Sequence, residues 1–534
     1  MSFGAKFREP VNMEPSNSYT WNPFVSQKSA KYHLGPELFE AWENRVKTVI
    51  ENRINFFMRY KPEVFLGGQS LLHDEEVSDY LNKLHKKFII VVADKAANNF
   101  VFVCKKYYIS VLLHELGIDP NTLTCNGNTT YSFHSENKVS VIAKTVKDMK
   151  ELFGITCPDA HQRIPNIFWN AKLHKVPYKP RFIAGARFSA TKQLEILLNK
   201  CLLLLRNHFA SYCKVIYQRT GINCNWSIGS SSQFLEKIKN VQVWTMQVYD
   251  FSTLYTTLDL HDVENTLFGL CNLLFSSKHK YICVNSFKAC FSAKKRNGYT
   301  SFDLTLFKKA ISFILHNTFV AFADFVLKQG KGIPMGGSCS SPTADLYLSF
   351  KEFTYMKTLL REKKFNLARL LSNNSRYIDD VNIINYQHFS EQSKNIYPPD
   401  LSLERSGQDD RNAVYLDVRI TVGNNGLITT VYNKTDDFNF DVVNFTFPES
   451  NIPEQLGYNV FYGQILRYST IFSSRIDFIL KSSTLFHTLR SRGYRHSSLL
   501  KYLKRVLGKN IFILHKYGFS NSDEVVRDLL RTLT

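Results

Sequence analysis

Apolar residues recur with two different spacings along this chain. From Pro36, the segment PELFEAWENRVKTVIENRINFFMRY repeats apolar positions about every three or four residues, which predicts a helix that packs through one face. In FIIVVADKAANNFVFVCKKYYI two β-rich runs flank the polar residues Asp94 to Asn99, which predicts a hairpin with its tip in water. Residues 190 to 210 predict a Leu-rich helix, and VQVWTMQVYDFSTLYTTL (241 to 258) predicts a buried strand that runs into a turn.

The second half of the chain continues this mixture. A helix is predicted from about 302 to 316, followed by strands in TFVAFADFVLKQGKGI and by a second helix after the small residues of GGSCSSPTADLYL. Strands are predicted in VYLDVRITV and LITTVYNK, and helices from about 455 to 530. Residues 270 to 300 are richer in Ser, Lys and aromatic residues and read as an insertion. The pattern therefore predicts a mixed α/β centre with a helical C-terminal part.

The amino-acid composition indicates a polyanionic partner. With 534 residues, 44% of them hydrophobic, the chain can bury a large core and form several subdomains. Lys and Arg outnumber Asp and Glu by 67 to 46, a formal charge of +21, which favours nucleic acid over the alternative of a merely soluble basic protein. No apolar run reaches the roughly 18 residues of a membrane span, and the first residues lack a signal-peptide core, so we expect an intracellular protein without a membrane partner. The ten cysteines lack zinc-binding spacing and predict reduced thiols.

Two adjacent carboxylates stand in the apolar run RYIDDVNII. Asp379 and Asp380 repel each other and lose solvation there, so one would tend to keep its proton unless a cation compensates the pair. The run taken alone also fits a plain hairpin turn. Asp250 ends another apolar run, and together these three acids could hold two Mg²⁺ ions, hard cations that prefer carboxylate and phosphate oxygens. With the basic segment NAKLHKVPYKPRFIAGARF (170 to 188) to neutralise a triphosphate, this set predicts nucleotidyl transfer.

Three motifs carry a resemblance to a known family. In order and spacing, VYDFSTLYTTL, GIPMGGSCSSPTADLYL and RYIDDV resemble the A, B and C motifs of reverse transcriptases. The segments KLHKVPYKPRFIAG, ADKAANNFVFV and YLDVRI…TTVYNKTDDFNF resemble more particularly the Penelope-like retroelements of animals. The resemblance covers roughly residues 85 to 510.

The resemblance implies an α+β right-hand polymerase fold. Such a fold has fingers, a palm whose antiparallel sheet carries helices on one face, and a helical thumb. Here it implies an N-terminal helical extension (1–84), fingers with the first palm elements (85–240), a palm with motifs A, B and C and the insertion near 270–300 (241–445), and a basic thumb (446–534).

The resemblance also implies the reaction and its metals. The chain would be an RNA-directed DNA polymerase that extends a primer 3′-OH with dNTPs by two-metal-ion nucleotidyl transfer, on an RNA template with a DNA primer or on an RNA–DNA hybrid. Asp250 and Asp379 would bind both Mg²⁺ ions, with Asp380 as a supporting ligand and the carbonyl of Phe251 completing a metal shell. Mn²⁺ is the expected substitute.

Further site residues follow from the motif positions. Tyr255 falls where reverse transcriptases place an aromatic gate under the sugar, which would crowd a 2′-OH, and Arg181 matches an arginine that contacts the triphosphate. The remaining candidates around the dNTP are Lys172, Lys175, Met335, Gly336 and Gly337, with Lys95 as a further basic neighbour. The candidates for primer and template contacts are Tyr377, Lys434, Arg467, Arg490, Arg495 and Lys504.

The sequence departs from the family at three points, the first of which is WNAKLHK, where the family usually has a proline before the lysine. Motif B has Ser341 where the family generally has a proline, and Pro342 follows. No nuclease motif of the GIY-YIG type stands before Thr534, so a separate endonuclease or a host nick would supply the end to extend. The family implies a nuclear location.

Two other functions stay open at this stage. One is a catalytically inactive, polymerase-fold protein that only binds nucleic acid. The other is an RNA-copying RNA polymerase, which would carry a small or polar residue at the position of Tyr255.

Overall fold

The computed structural model describes most of the chain after residue 74. It covers residues 75–532 except 126, 127, 129, 174–176, 425, 441, 443, 444 and 451, together with a few helical residues between 40 and 55. The helix predicted from Pro36 and the candidate Lys175 therefore lie largely or wholly outside the described residues. The described residues divide into two compact units, one of those up to 90 together with 102–105, the other of 91–101 and those from 106 onward.

The smaller unit contains α1 (Glu75–Lys87). Its first turn carries Glu75 and Glu76 and its last turn His85, Lys86 and Lys87, the charge order that complements the helix dipole. The predicted hairpin follows as β1 (Phe88–Ala93) and β2 (Ala96–Cys104). Its turn is shorter than predicted, only Asp94 and Lys95, because Lys95 adopts a positive φ of 67° that closes the turn at once.

Helices and strands alternate through the larger unit. Its helices are α2 (Lys105–Leu116), α3 (Lys138–Phe153), α4 (Lys192–Thr220), α5 (Ser231–Ile238), α6 (Leu254–Thr257), α7 (Leu260–Leu274), α8 (Leu304–His316), α9 (Ser340–Arg361), α10 (Phe365–Leu371), α11 (Phe389–Gln392), α12 (Glu454–Ile471), α13 (Arg475–Ser491), α14 (His496–Lys509), α15 (Phe512–Tyr517) and α16 (Ser522–Arg531). Its strands are β3 (Tyr131–Phe133), β4 (Ile167–Lys172), β5 (Lys179–Ala184), β6 (Met246–Phe251), β7 (Tyr281–Val284), β8 (Ala289–Ser292), β9 (Thr300–Asp303), β10 (Phe319–Phe322), β11 (Phe325–Gln329), β12 (Ser375–Tyr377), β13 (Asp380–Ile384), β14 (Leu403–Ser406), β15 (Asn412–Tyr415), β16 (Val418–Gly423) and β17 (Gly426–Val431). Among the described helices, none combines the length and apolarity needed to cross a bilayer.

Polar caps set where several of these helices begin. The side chains of Asp259 and Asp303 accept hydrogen bonds from backbone N–H groups in the first turns of α7 and α8, and Asn137 does the same for α3. Pro342 lies in the first turn of α9, where a missing N–H costs no helical hydrogen bond, and the helix continues unbroken to Arg361.

The central sheet has the strand order β12-β13-β6-β14, and all its pairs are antiparallel. Buried side chains from α4, β6, α7, α8 and α9 pack together, among them Leu198, Phe251, Val263, Phe307 and Tyr347. Each such large side chain contributes about 1.5–3 kcal/mol when it is fully buried. The antiparallel strands β7, β8 and β9 occupy the segment predicted to be an insertion, and their Ile282, Val284 and Phe302 join the same core.

The C-terminal helices α12 to α16 have a hydrophobic cluster of their own. It includes Phe461, Phe478, Phe486, Leu503 and Leu529, all with no exposed area. The helices predicted from about 455 to 530 are thereby confirmed.

Candidate active site

The backbones of the three acids of motifs A and C lie together at one end of the central sheet. Asp250 on β6 lies directly opposite Asp380 on β13, and Glu404 of β14 lies opposite Asp250 on the other side. The backbone N–H of Phe251 donates a hydrogen bond to the carbonyl oxygen of Asp379 at 3.2 Å. Backbone pairing alone therefore brings residues more than a hundred positions apart to one place.

The run RYIDDV forms a β-hairpin with a two-residue turn, and this hairpin carries Asp379 and Asp380. Tyr377 ends β12 and pairs with Asp380, the first residue of β13, so Ile378 and Asp379 form the turn. The plain turn that the sequence allowed is therefore present, and it lies beside Asp250, while a metal site at these acids stays a prediction. Ile378 has a φ of 55°, which is a genuine outlier for a β-branched residue and costs of the order of 1–3 kcal/mol.

A buried arginine holds this strained turn. Arg376 has no exposed area, and its Nη1 donates to the carbonyl of Ile378 at 3.0 Å and to Oδ1 of Asp345 at 2.9 Å. Its Nε donates to Oε1 of Glu352 at 2.5 Å, and its Nη2 donates to Oγ of Ser349 at 2.7 Å. The planar fork of the guanidinium thus connects the turn to one face of α9.

Other polar groups complete the network under the turn. Arg206 reaches Oδ2 of Asp345 at 3.1 Å, and the hydroxyl of Tyr397 donates to Glu352 at 2.8 Å. Nearby, Lys237 donates to the carbonyl of Asn374, and burial lowers the pKa of Lys237 to about 7. Sequence reasoning missed this network. Its one signal was that Arg376 stands three residues before Asp379.

The pKa of Asp380 reflects its burial and the negative charge that surrounds it in the site. Burial, together with the adjacent charges of Asp379 and Asp250, raises the pKa of Asp380 to about 7, while Lys434 and Lys95 oppose the rise. The repulsion between carboxylates that we inferred from the sequence is therefore present, and a divalent cation bound among the three carboxylates would remove it. The donor set, carboxylate oxygens without a thiol, fits Mg²⁺.

This shifted pKa predicts a pH-dependent stability. The folded state keeps the Asp380 proton up to about pH 7, whereas an unfolded Asp releases it near pH 3.9. Between these values the folded state binds more protons, so the metal-free protein loses up to about 1.4 kcal/mol of unfolding free energy per pH unit as the pH rises. Asp380→Asn should remove this loss, measured by urea unfolding in EDTA at pH 5 and 7.5.

The control for this prediction is Asp436→Asn, because Asp436 is exposed. It should keep the wild-type difference between the two pH values. An Asp380→Asn variant that loses stability with pH as the wild type does would contradict the assignment.

The motif B loop lies against the strand that carries Arg181. The N–H of Ala184, at the end of β5, donates to the carbonyl of Met335 at 2.8 Å. Gly336 has a φ of 122°, and a Cβ there would lie 2.2 Å from the carbonyl oxygen of Ala184, so only glycine allows this approach. Gly337 follows, and the next N–H, that of Ser338, donates to the buried carboxylate of Glu195 at 2.8 Å. Sequence reasoning missed Glu195, which stands within a Leu-rich helix.

Tyr255 lies between the acids and motif B. Its backbone carbonyl accepts a hydrogen bond from the N–H of Ile333 at 2.6 Å, and the nearby Ser341 side chain acts to lower the pKa of its phenol. Burial raises the pKa of Tyr255, and the charge of nearby Asp379 adds to the rise. Ser341, the departure from the family pattern, thus supplies a hydroxyl that a proline would lack.

Arg181 pairs with an acid that sequence reasoning did not single out. Its Nε lies 3.3 Å from Oδ2 of Asp94, in the turn between β1 and β2, while a third of its side chain is exposed. Lys172 ends β4, opposite Lys179 of β5.

The candidates for primer and template contacts differ in their surroundings. Tyr377 lies at the end of β12 opposite Asp380, and the exposed Lys434 is close enough to oppose the pKa rise of that acid. Arg490 and Arg495 are exposed. Arg467 is engaged by Asp417, with Nε and Oδ2 2.6 Å apart, and Lys504 lies 2.8 Å from Asp523. Of these candidates, Tyr377 and Lys434 belong to the site around the acids.

Comparison with known proteins gives a fold without a sequence match. No family model matches the chain, and no curated protein matches it either. The solved structure of telomerase from Candida albicans in complex with a fragment of telomeric RNA aligns over 86% of this chain and 72% of its own, with a TM-score of 0.56 and 11% identity. Apo telomerase from Candida tropicalis covers 91% and 84%, with a TM-score of 0.43 and 12% identity, which is too distant to support a comparison.

The chain therefore shares a mixed α+β fold with telomerase, a reverse transcriptase. At this identity the likeness concerns the fold alone.

Proposed function

We propose that the chain is an RNA-directed DNA polymerase that extends a primer 3′-OH with dNTPs. The observation that carries the proposal is the pairing of Asp250 with Asp380 beside the turn that bears Asp379. These acids converge at the end of a β-sheet, on a fold shared with a telomerase. In this proposal residues 85–240 act as fingers, 241–445 as the palm and 446–534 as the thumb.

The chain's own groups suit this reaction. Asp250, Asp379 and Asp380, with the carbonyl of Phe251, would hold two Mg²⁺ ions, which when bound supply Lewis-acid stabilisation of the transferring phosphoryl group. Asp380 must release its proton to act as a ligand, so the acids favour metal binding above about pH 7. Arg181, oriented by Asp94, would bind the triphosphate, and the ring of Tyr255 would exclude a ribose 2′-OH.

The proposed partners are an RNA template with a DNA primer or an RNA–DNA hybrid. The charge of +21 favours phosphate backbones, and the exposed Arg490 and Arg495 suit contacts that hold a duplex without reading its bases. The telomerase of similar fold was solved with RNA. The quoted sequence motifs support a Penelope-like retroelement acting in the nucleus, with a separate endonuclease or a host nick to supply the primer end.

Primer extension on poly(rA)/oligo(dT) with Mg²⁺ and labelled dTTP tests the proposal. Extension that EDTA abolishes, and that Mn²⁺ restores at least in part, is expected. A folded protein that binds the duplex but extends it on neither RNA nor DNA templates would be an inactive nucleic-acid-binding protein, and the proposal would then be wrong.

Replacing Tyr255 by Val should relax sugar selection. Without the ring, the preference for dTTP over UTP is expected to fall by at least about tenfold, the scale on which small steric changes alter selectivity. Competing single-nucleotide incorporation measures the ratio. Tyr217→Val, at an exposed position on α4, is the matched control and should leave the ratio unchanged. An unaltered ratio in Tyr255→Val would remove Tyr255 from the gate.

A further inference from the structure

A second group of possible metal ligands lies outside the carboxylate site. His261 and Glu264 stand on α7, three positions apart, so they occupy neighbouring places on one helix face. His316 is the last residue of α8, which packs against α7. Among the described residues, these three form the one group whose His, Cys or carboxylate donor atoms all lie within 4.8 Å of one another.

The separations are close to those of a coordinated metal. Nε2 of His316 lies 3.3 Å from Oε2 of Glu264, and Nδ1 of His261 lies 4.0 Å from the same oxygen. Zinc bonds of about 2.1 Å in a tetrahedron put ligand atoms about 3.4 Å apart, so small side-chain rotations would close the site. The neighbouring Asp262 is otherwise engaged, because its carboxylate accepts hydrogen bonds from Tyr347 at 2.6 Å and from Lys351 at 2.7 Å.

The donor types decide which ion fits. Two imidazoles and one carboxylate suit a transition metal such as Zn²⁺, whereas Mg²⁺ prefers oxygen ligands throughout. Glu264 is 16% exposed, His316 31% and His261 79%, so the carboxylate forms the floor of the site and a water molecule could complete the coordination from solvent. The C-terminal end of α8 also carries the partial negative charge that favours a cation.

We infer that His261, Glu264 and His316 form a binding site for Zn²⁺ that joins α7 to α8. His316 and Glu264 are 52 positions apart, and the strands β7, β8 and β9 lie between them. A metal that bridges them closes this long loop and stabilises the folded state, because the unfolded chain does not present the three ligands together. The role is structural and independent of the polymerase reaction.

The test measures zinc binding by the full chain after EDTA treatment. Titration with Zn²⁺ in excess Mg²⁺, which occupies the carboxylate site, should give one equivalent bound. His316→Gln and Glu264→Gln should each weaken binding by more than about 100-fold, because even groups that only orient a ligand contribute about 10- to 100-fold. His515→Gln, at an exposed histidine on α15, should bind like the wild type.

Two further readouts distinguish this site from adventitious binding. Zn²⁺ should raise the melting temperature of the wild type and of His515→Gln but not of His316→Gln. Co²⁺ in place of zinc should show an absorption spectrum of nitrogen and oxygen coordination that His316→Gln loses. A folded wild type that binds no zinc, or zinc bound equally by the His316 and Glu264 variants, would overturn the inference.

Discussion

Asp379→Asn should lower primer extension by at least about 1,000-fold, since even one group that stabilises charge in a transition state contributes about 10²–10³. Asn keeps the shape of the side chain but loses the negative charge that a metal needs. The backbone contacts of the turn, between Asp379 and Phe251 and between Ile378 and Arg376, do not involve this carboxylate. The variant is therefore expected to fold and to bind duplex.

The matched control is Asp409→Asn. Asp409 and Asp410 are also adjacent, but Asp409 is exposed and lies between β14 and β15. Steady-state rates on poly(rA)/oligo(dT) should be the same for this variant and the wild type. If Asp379→Asn extended primers within tenfold of the wild-type rate, the carboxylates would not be the site of the chemistry.

The second large effect is expected at Arg376. Arg376→Ala leaves the buried carboxylates of Asp345 and Glu352 without their main partner, which destabilises a protein by about 3–5 kcal/mol. Urea unfolding measures the loss. Arg369→Ala, at an exposed position on α10, should change the free energy of unfolding by no more than about 0.5 kcal/mol. Equal stabilities for the two variants would show that the buried network is not formed.

Arg376→Lys distinguishes the role of Arg376 in positioning the turn from its role in stabilising the fold. A lysine keeps the charge near Glu352, but it lacks the fork that reaches the carbonyl of Ile378. We expect kcat for extension to fall while KM for dTTP changes little, because Arg376 positions the acids without touching nucleotide. A parallel change in both constants would assign the effect to general loss of structure.

The sequence predicted the positions of the acids because their chemistry restricts residue type. Adjacent carboxylates in an apolar run are unusual, which singled out Asp379 and Asp380, whereas Asp250 was singled out as the end of an apolar run and by the motif resemblance. The structure brings the three backbones together, and their role in catalysis stays a prediction. The geometry of the hairpin that bears Asp379 and Asp380 could not be predicted from the sequence. A two-residue turn with Ile378 at a positive φ goes against the preference of a β-branched residue, so local propensity gives no hint of it.

The supporting groups could not be predicted for a different reason. Asp345 and Glu352 read as ordinary polar positions of a helix, and only the packed structure shows both buried against Arg376. Asp94 likewise read as a residue at a solvated hairpin tip, and its ion pair with Arg181 depends on how two strands pair. Periodicity predicts which face of an element is buried but not which distant element lies there.

The contact between Gly336 and Ala184 couples two segments that are distant in sequence, the strand β5 and the loop before α9. The N–H of Ala184 donates to the carbonyl of Met335, and Gly336, which has no Cβ, lies directly against the carbonyl of Ala184. The two backbones are therefore in direct contact. Any rotation of β5 that moved Arg181 inward would carry Met335 and Gly336 with it. The position of Arg181 and that of the motif B loop are therefore coupled, and we expect a substitution on either segment to shift the other.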